Sequence, residues 1–357
     1  MDQNPSFAKN LRVGVPPAEL PSMLYPLQFE PIFRRYLWGG RRLATQLRKS
    51  LGAGDDYAES WEIVDHGQDQ SRVVTGPWAG RSLHDLIESF GVPVLGATWN
   101  ARIQSAQRPA PLRGRFPLLL KFLDAQRVLS VQVHPNDAQA AQQDPPDLGK
   151  TEAWYVLDAA PDSRIYAGLR AGIGRSEFET ALRAGSVDSV LHSFEARPGD
   201  VVFIPAGTVH AIGAGLLVCE IQQASDTTYR LFDWNRVDAS GKPRPLHIAE
   251  SLDVIDFARG PVEPIRRCLN ENALISLVHC DYFRLSAWQL TTPQPLAGDG
   301  RLRIVVPIDG AVQLAGSDIE PVRLSIGKPA LLPAGLPPIT CTPQPSCSLL
   351  VVELPEP

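Results

Sequence analysis

A mostly β protein, folded as two jelly-roll β-barrels with a few short helices, is what this sequence predicts. Three observations carry that prediction. Proline supplies 33 of 357 residues, about 9% where ~5% is usual, and a residue that fixes φ and lacks an N–H favours short elements joined by turns. Apolar runs are short and are broken by glycine and proline. The pattern G-x5-P-x-G occurs at Gly199–Gly207 and again at Gly327–Gly335, as two related barrels would require.

Residues 1–24 hold several prolines and little apolar periodicity, which predicts an extension that is disordered or wrapped on the surface. From Leu27 to Gly80 the runs LQFEPIF and ESWEIV read as strands, the second with alternation, and YLWGG as a turn. RSLHDLIESFG, residues 81–91, reads as a helix stopped by a glycine cap. The dense apolar stretch 116–133 predicts two buried strands around a turn at 124–126. TEAWYVLD and RIYAGL follow as strands, SEFETALRAG and SVDSVLHSF as short helices, and DVVFIPAG and LLVCEIQQ as strands again. HIAESLDVIDFARG predicts a helix closing the first part, and PVEPIRR, with two prolines, a linker at 261–267. Strands and turns continue from Asn270 to the end. The organisation expected is therefore an extension at 1–24, a catalytic domain at 25–262 and a second β domain at 263–357.

A chain of this length can bury a substantial core without staples. Its net charge is −5 with both signs interspersed, so the basic stripe that nucleic acid demands is missing and nucleic acid is set aside as a partner. Five sparse cysteines without a C-x-x-C pair fit a reducing compartment. No run approaches the ~18 apolar residues of a membrane span and the start of the chain lacks an apolar signal core. A cytoplasmic, non-membrane protein is expected.

The chemistry begins in LSVQVHPND. Gln132 and His134 stand two apart, and on a strand such residues project from one face, so one metal could touch both. In PGDVVFIPAGTVHAI the spacing G-x5-P-x-G-x2-H matches the second motif of the cupin barrel, whose histidine faces an internal metal; here that residue is His210, while Ala214 replaces the Asn usual four residues on. Glu152, opening a strand in DLGKTEAWYVL, adds a carboxylate. Two imidazoles, a carboxylate and an amide oxygen form a set that Zn²⁺ accepts, and iron accepts it too. His66, His84, His192, His247 and His279 lack such settings and default to structural or surface roles. GKT at 149–151 is not a phosphate loop, because Asp144 stands where its first glycine belongs. Neither G-x-S-x-G nor a dinucleotide glycine fingerprint occurs. Arg230 and Arg236, close behind an apolar strand, fit a solvated face or ordinary ion pairs, and also suit an anionic sugar phosphate through guanidinium forks.

Taken together, P-x-F-x4-WGG at 31–40, ESWEI, FPLLLKFLDA, LSVQVHPND, GKTEAWYVL, PAGTVHA and E-x-Q-Q-x-S-D-T-T-Y-R at 220–230 resemble the type I mannose-6-phosphate isomerases in their short bacterial form. The likeness is close over residues 27–260 and looser beyond. It implies a zinc enzyme, one ion per chain, that interconverts mannose 6-phosphate and fructose 6-phosphate. It places the family's four metal ligands on Gln132, His134, Glu152 and His210, its active-site arginine on Arg230 and the lysine of its K-T-E string on Lys150. Trp38, Glu220 and Arg236 fall in strings that line the family's site. Such a reaction needs a general base, for which Glu220 and a metal-held water both stand as candidates.

In the second half, RLSIGKPALLPAGLPPITC keeps the turn spacing but has Pro338 where His210 stands, so the second barrel is expected to hold no metal. Two alternatives remain at this point: a cupin oxygenase with iron at the same ligands, against which Gln132 counts, and a sugar-binding cupin without catalysis.

Overall fold

The computed structural model describes residues 24–237 and 241–356. The extension expected at 1–24 lies outside the described residues except for Leu24, which is buried in the apolar core. In chain order the strands are β1 (Ile32–Gly40), β2 (Tyr57–Ile63), β3 (Asp65–His66), β4 (Asp69–Gln70), β5 (Leu118–Ala125), β6 (Val131–Val133), β7 (Glu152–Ala159), β8 (Arg164–Leu169), β9 (Leu191–Glu195), β10 (Val201–Ile204), β11 (His210–Ile212), β12 (Leu216–Gln223) and β13 (Tyr229–Phe232). After residue 270 come β14 (Leu274–His279), β15 (Arg284–Leu290), β16 (Gln294–Leu296), β17 (Arg303–Gly316), β18 (Ile319–Ser325), β19 (Ala330–Leu332) and β20 (Ile339–Glu353). The helices are α1 (Arg42–Thr45), α2 (Leu83–Leu95), α3 (Ala97–Ile103), α4 (Asp137–Ala140), α5 (Arg175–Ala184) and α6 (Ile248–Val254). The molecule is thus mostly β with few helices, as the proline content and broken apolar runs require.

Three larger antiparallel sheets organise it. One runs β1-β2-β5-β12-β7-β10, a second β13-β6-β11-β8-β9, and the third β14-β15-β20-β17-β18 with β16 on β20 and β19 on β17. No ladder closes into a continuous barrel among the described residues. In the first sheet β5 is central, and all eight residues of LLLKFLDA are buried because both faces are covered. The same holds for β2, whose seven residues are all buried in place of the expected alternation. Small and branched side chains of the first two sheets, among them Val156, Val202 and Val218 against Ile165, Ala167 and Ile212, share one apolar cluster. That cluster is the floor on which the polar site rests.

Local departures from the sequence reading have physical causes. The helix expected to stop at Gly91 continues to Leu95 across a kink at Phe90 (φ −138°, ψ 40°), and Gly96, at φ 84°, is the cap. Gly91 serves close approach instead, since a Cβ there would collide with the Asn100 side chain. Only one turn of 3-10 helix, Val187–Ser189, forms in SVDSVLHSF; the rest pairs as β9 with β8, Phe194 opposite Ile165. Long-range pairing overrides the local helical pattern there. The presumed linker is stitched down: Ile265 bridges Val201, and Val262 donates its N–H to the Ala167 carbonyl. No helix among the described residues is long and apolar enough to cross a membrane.

Candidate metal centre and sugar-phosphate site

Two cross-strand rows face one another between the first two sheets. On the five-stranded sheet His210 (β11) lies opposite Gln132 (β6), which lies opposite Arg230 (β13). On the six-stranded sheet Lys121 (β5) lies opposite Glu220 (β12), which lies opposite Trp154 (β7). Directly opposed residues of an antiparallel pair share a face. Gln132, Arg230, Lys121, Glu220 and Trp154 accordingly line one cavity of about 290 Å³. Trp38, Lys150, Glu59, Ser130, Asp226, Thr228 and Arg244 complete much of its wall.

Behind Lys150 and Gln132 of this wall, His134, Glu152 and His210 bring one ligand atom each to within 4.8 Å of one another, and all three are buried. His134 Nε2 is 3.6 Å from Glu152 Oε2, and His210 Nε2 is 3.3 Å from Glu152 Oε1. The other ring nitrogens are committed: His134 Nδ1 donates to the Thr227 carbonyl at 3.0 Å and His210 Nδ1 to the Thr208 carbonyl at 2.9 Å. Each bond fixes the tautomer that leaves Nε2 as a lone pair, the form a metal binds. His210 Nε2 and Glu152 Oε1 are buried without a hydrogen-bond partner, a costly state that a cation between them would relieve. These donors fit a divalent ion.

The electrostatics point the same way. Burial, helped by the Lys150 charge, pushes His134 down to about 3, and burial lowers His210 as well. Both imidazoles are neutral at ordinary pH. Burial alone would raise Glu152, but the Lys150 ammonium holds it well below the usual carboxylate range. Lys150 Nζ donates to Glu152 and lies 2.9 Å from His134 Nε2, so a positive charge already leans on two of the three acceptors. Glu220 behaves oppositely: burial and the Glu152 charge raise it, with Lys121 and Lys150 acting against the rise. Its Oε1 is 3.3 Å from Lys121 Nζ and 3.5 Å from Lys150 Nζ, and its Oε2 accepts from the Trp154 indole at 3.1 Å. Lys121 stays an ammonium because Glu220 and Glu59 outweigh the cost of burying it.

At the far edge, Arg230 bonds Ser130 Oγ at 3.2 Å and the Pro245 carbonyl at 3.1 Å. Arg236 does not line the cavity; its guanidinium is held by Asp233 and by the Val128 carbonyl at 2.6 Å. Asp233 also pairs with Arg244, at 2.5 Å and 2.7 Å, and it is Arg244 that reaches the wall. Sequence reasoning missed Lys121, Glu59, Asp226 and Arg244. A lysine flanked on both sides by apolar residues in β5 was the available signal for Lys121, because such burial is tolerated only beside compensating charge.

The mannose-6-phosphate isomerase ManA of Bacillus subtilis (strain 168) is 37% identical over 325 residues, 87% of this chain and 94% of the relative. The chain belongs to the type I phosphomannose isomerase family. The family model described as phosphomannose isomerase type I, catalytic domain, matches residues 26–163. A mannose-6-phosphate isomerase of Streptococcus mutans serotype c (strain ATCC 700610 / UA159) is 34% identical over 303 residues, 79% of this chain and 88% of that one. The crystal structure of the Bacillus subtilis mannose 6-phosphate isomerase superposes with a TM-score of 0.78 at 30% identity, covering 92% of this chain and 99% of that structure. Within a phosphomannose isomerase framework, then, the buried His134–Glu152–His210 cluster is joined through Lys150 to a cavity that Arg230 and Arg244 also line.

Proposed function

We propose that this chain interconverts mannose 6-phosphate and fructose 6-phosphate in the cytoplasm, with one Zn²⁺ per chain held by Gln132, His134, Glu152 and His210. The observation that carries the reading is the pair of buried imidazoles whose Nδ1 protons are spent on backbone carbonyls, with both Nε2 atoms turned to Glu152. Gln132 enters the set through its register beside His210 and its place in the cavity wall. Five cysteines, all free thiols, agree with a reducing compartment. We divide the chain into a catalytic, metal-binding cupin domain, 25–262, and a metal-free cupin-like β domain, 263–357.

When bound, Zn²⁺ would polarise the sugar oxygens that carry developing charge. The remaining work falls to side chains. Aldose–ketose exchange moves a proton between C2 and C1 through a cis-enediolate. Glu220, a buried carboxylate whose affinity for a proton is raised, suits the base that carries it. Lys150 and Lys121 steady the negative oxygens from one side, in a cavity where such contacts are stronger than in water. Arg230, with Arg244 beside it, takes the phosphate at the opposite end. Trp38, buried and stacked on Tyr36 at 5.5 Å, forms a wall for the sugar, and Arg236 supports Arg244 through their shared Asp233.

A coupled assay on mannose 6-phosphate tests this, with protein stripped by a chelator and then reloaded with Zn²⁺. Activity is expected to vanish on stripping and to return with one equivalent. Absence of turnover by the zinc-loaded protein would sink the substrate assignment, and full turnover by stripped protein would sink the metal.

A further inference from the structure

Asp147 is no part of the metal-facing set, yet its carboxylate is the meeting point of the segment that orients His134. It is buried. Its Oδ1 accepts the Leu148 N–H at 2.9 Å, and its Oδ2 accepts the hydroxyls of Ser225 and Thr227, each at 2.9 Å. The His66 ring nitrogen Nε2 lies 3.3 Å from both oxygens. Ser225 Oγ in turn accepts the Thr227 backbone N–H at 3.2 Å. One carboxylate therefore holds Thr227 at two points, directly by its hydroxyl and through Ser225 by its amide. The carbonyl of that same residue accepts the His134 Nδ1 proton. Asp226 and Thr228, on either side of Thr227, line the cavity.

We propose that Asp147 is a positioning residue of the metal centre, clamping residues 225–227 so that the Thr227 carbonyl holds the His134 ring with Nε2 presented to the ion. The inference rests on the zinc reading above. Groups that orient a metal-binding imidazole from behind fix both its tautomer and its ring angle, and losing one typically lowers metal affinity by roughly 10–100-fold. A carboxylate suits the place: two oxygens offer enough lone pairs for all four donors that converge on them. An amide at 147 would keep one acceptor oxygen, and the hydroxyls can rotate to accept from its NH₂, so Asn retains part of the clamp. Alanine retains none of it.

The test compares wild type, Asp147→Ala, Asp147→Asn and Thr227→Val. Stripped protein is titrated with Zn²⁺ against a chromophoric chelator, and the visible absorption of Co²⁺-loaded protein is recorded beside circular dichroism and Tm. Wild type is expected to bind one ion. Asp147→Ala should weaken that binding by roughly 10–100-fold and alter the cobalt bands, with Asn recovering a substantial part of the loss. Thr227→Val deletes the clamped hydroxyl and keeps the carbonyl, so a smaller loss in the same direction is expected; it carries the test if Asp147→Ala does not fold. Folded variants with wild-type affinity and cobalt bands would overturn the clamp while leaving the zinc site standing. A wild-type protein that binds no ion would overturn the zinc site and the clamp with it.

Discussion

The stretch from Gly199 to His210 and the stretch from Gly327 to Pro338 place glycine and proline at the same intervals. In both, the first glycine takes positive φ, 90° at Gly199 and 73° at Gly327, and a short strand follows, β10 in one and β19 in the other. Their surroundings could hardly differ more. The first delivers a fully buried His210 to a carboxylate, within an interior that also buries Glu59, Lys121, His134, Lys150 and Glu220. The second ends at an exposed proline. Beyond residue 270, Ser286 is the one buried polar or charged side chain among the described residues, apart from backbone and thiols. The core of the third sheet is thus built almost wholly from apolar side chains. The charged interior of the first region carries a desolvation cost that folding does not require, and function is what retains it.

The comparison breaks most visibly at His210. His210→Ala should abolish stoichiometric Zn²⁺ binding and lower kcat/KM by about 10³-fold or more, the several kcal/mol of charge stabilisation a bound ion supplies; metal analysis with the coupled assay checks it. In the apolar region the effect should fall on stability instead. Phe283 is fully buried, and Phe283→Ala should cost about 3–5 kcal/mol in denaturant unfolding while the protein that remains folded keeps its metal content and kcat. A smaller effect tests the charged side. The hydrogen bond to Asp147 raises the His66 pKa above 6.5, against the opposing effect of burial. A pKa raised on folding adds stability that is complete below about pH 6.5 and fades as pH climbs through the folded-state value. His66→Gln should therefore lower Tm more at pH 5.5 than at pH 8.5, and an equal loss at both would remove His66 from the ion pair. Least of all should change with Pro338→His: one ion per chain, with kcat/KM within about twofold of wild type. A second bound ion would show that the turn spacing, and not the charged surroundings, makes the site.

The two imidazoles were legible because each sits in a pattern with a geometric meaning, Q-x-H on a strand and the glycine–proline spacing before His210. Glu152 and Lys150 were legible from their string. Lys121 and Glu59 were not read, since the side chains each one faces depend on strand pairings 62 residues apart in sequence. Arg244 was missed because its place beside Arg230 is set by its pairing with Asp233, which the local pattern does not reveal. Similarly, the helix stop moved from Gly91 to Gly96 because Gly91 answers to Asn100 on the next helix, and SVDSVLHSF became a strand because β8 was waiting for it. Patterns within a few residues were readable; choices made by distant partners were not.

One of those distant partnerships constrains how the molecule is made. Leu27 and Leu331 exchange backbone hydrogen bonds at 2.8 Å each, Ala334 and Gly335 donate to the carbonyls of Val94 and Pro93, and the Trp99 indole donates to Pro355. A ribosome adding roughly 5–20 residues per second produces residue 331 roughly 15–60 s after residue 27. Through that interval the early segments, Leu24, Leu27 and Trp99 among them, have no C-terminal surface to cover their apolar side chains. The nascent chain is thus exposed to off-pathway association until its last strands emerge, and the apolar third sheet is the part whose arrival ends the exposure.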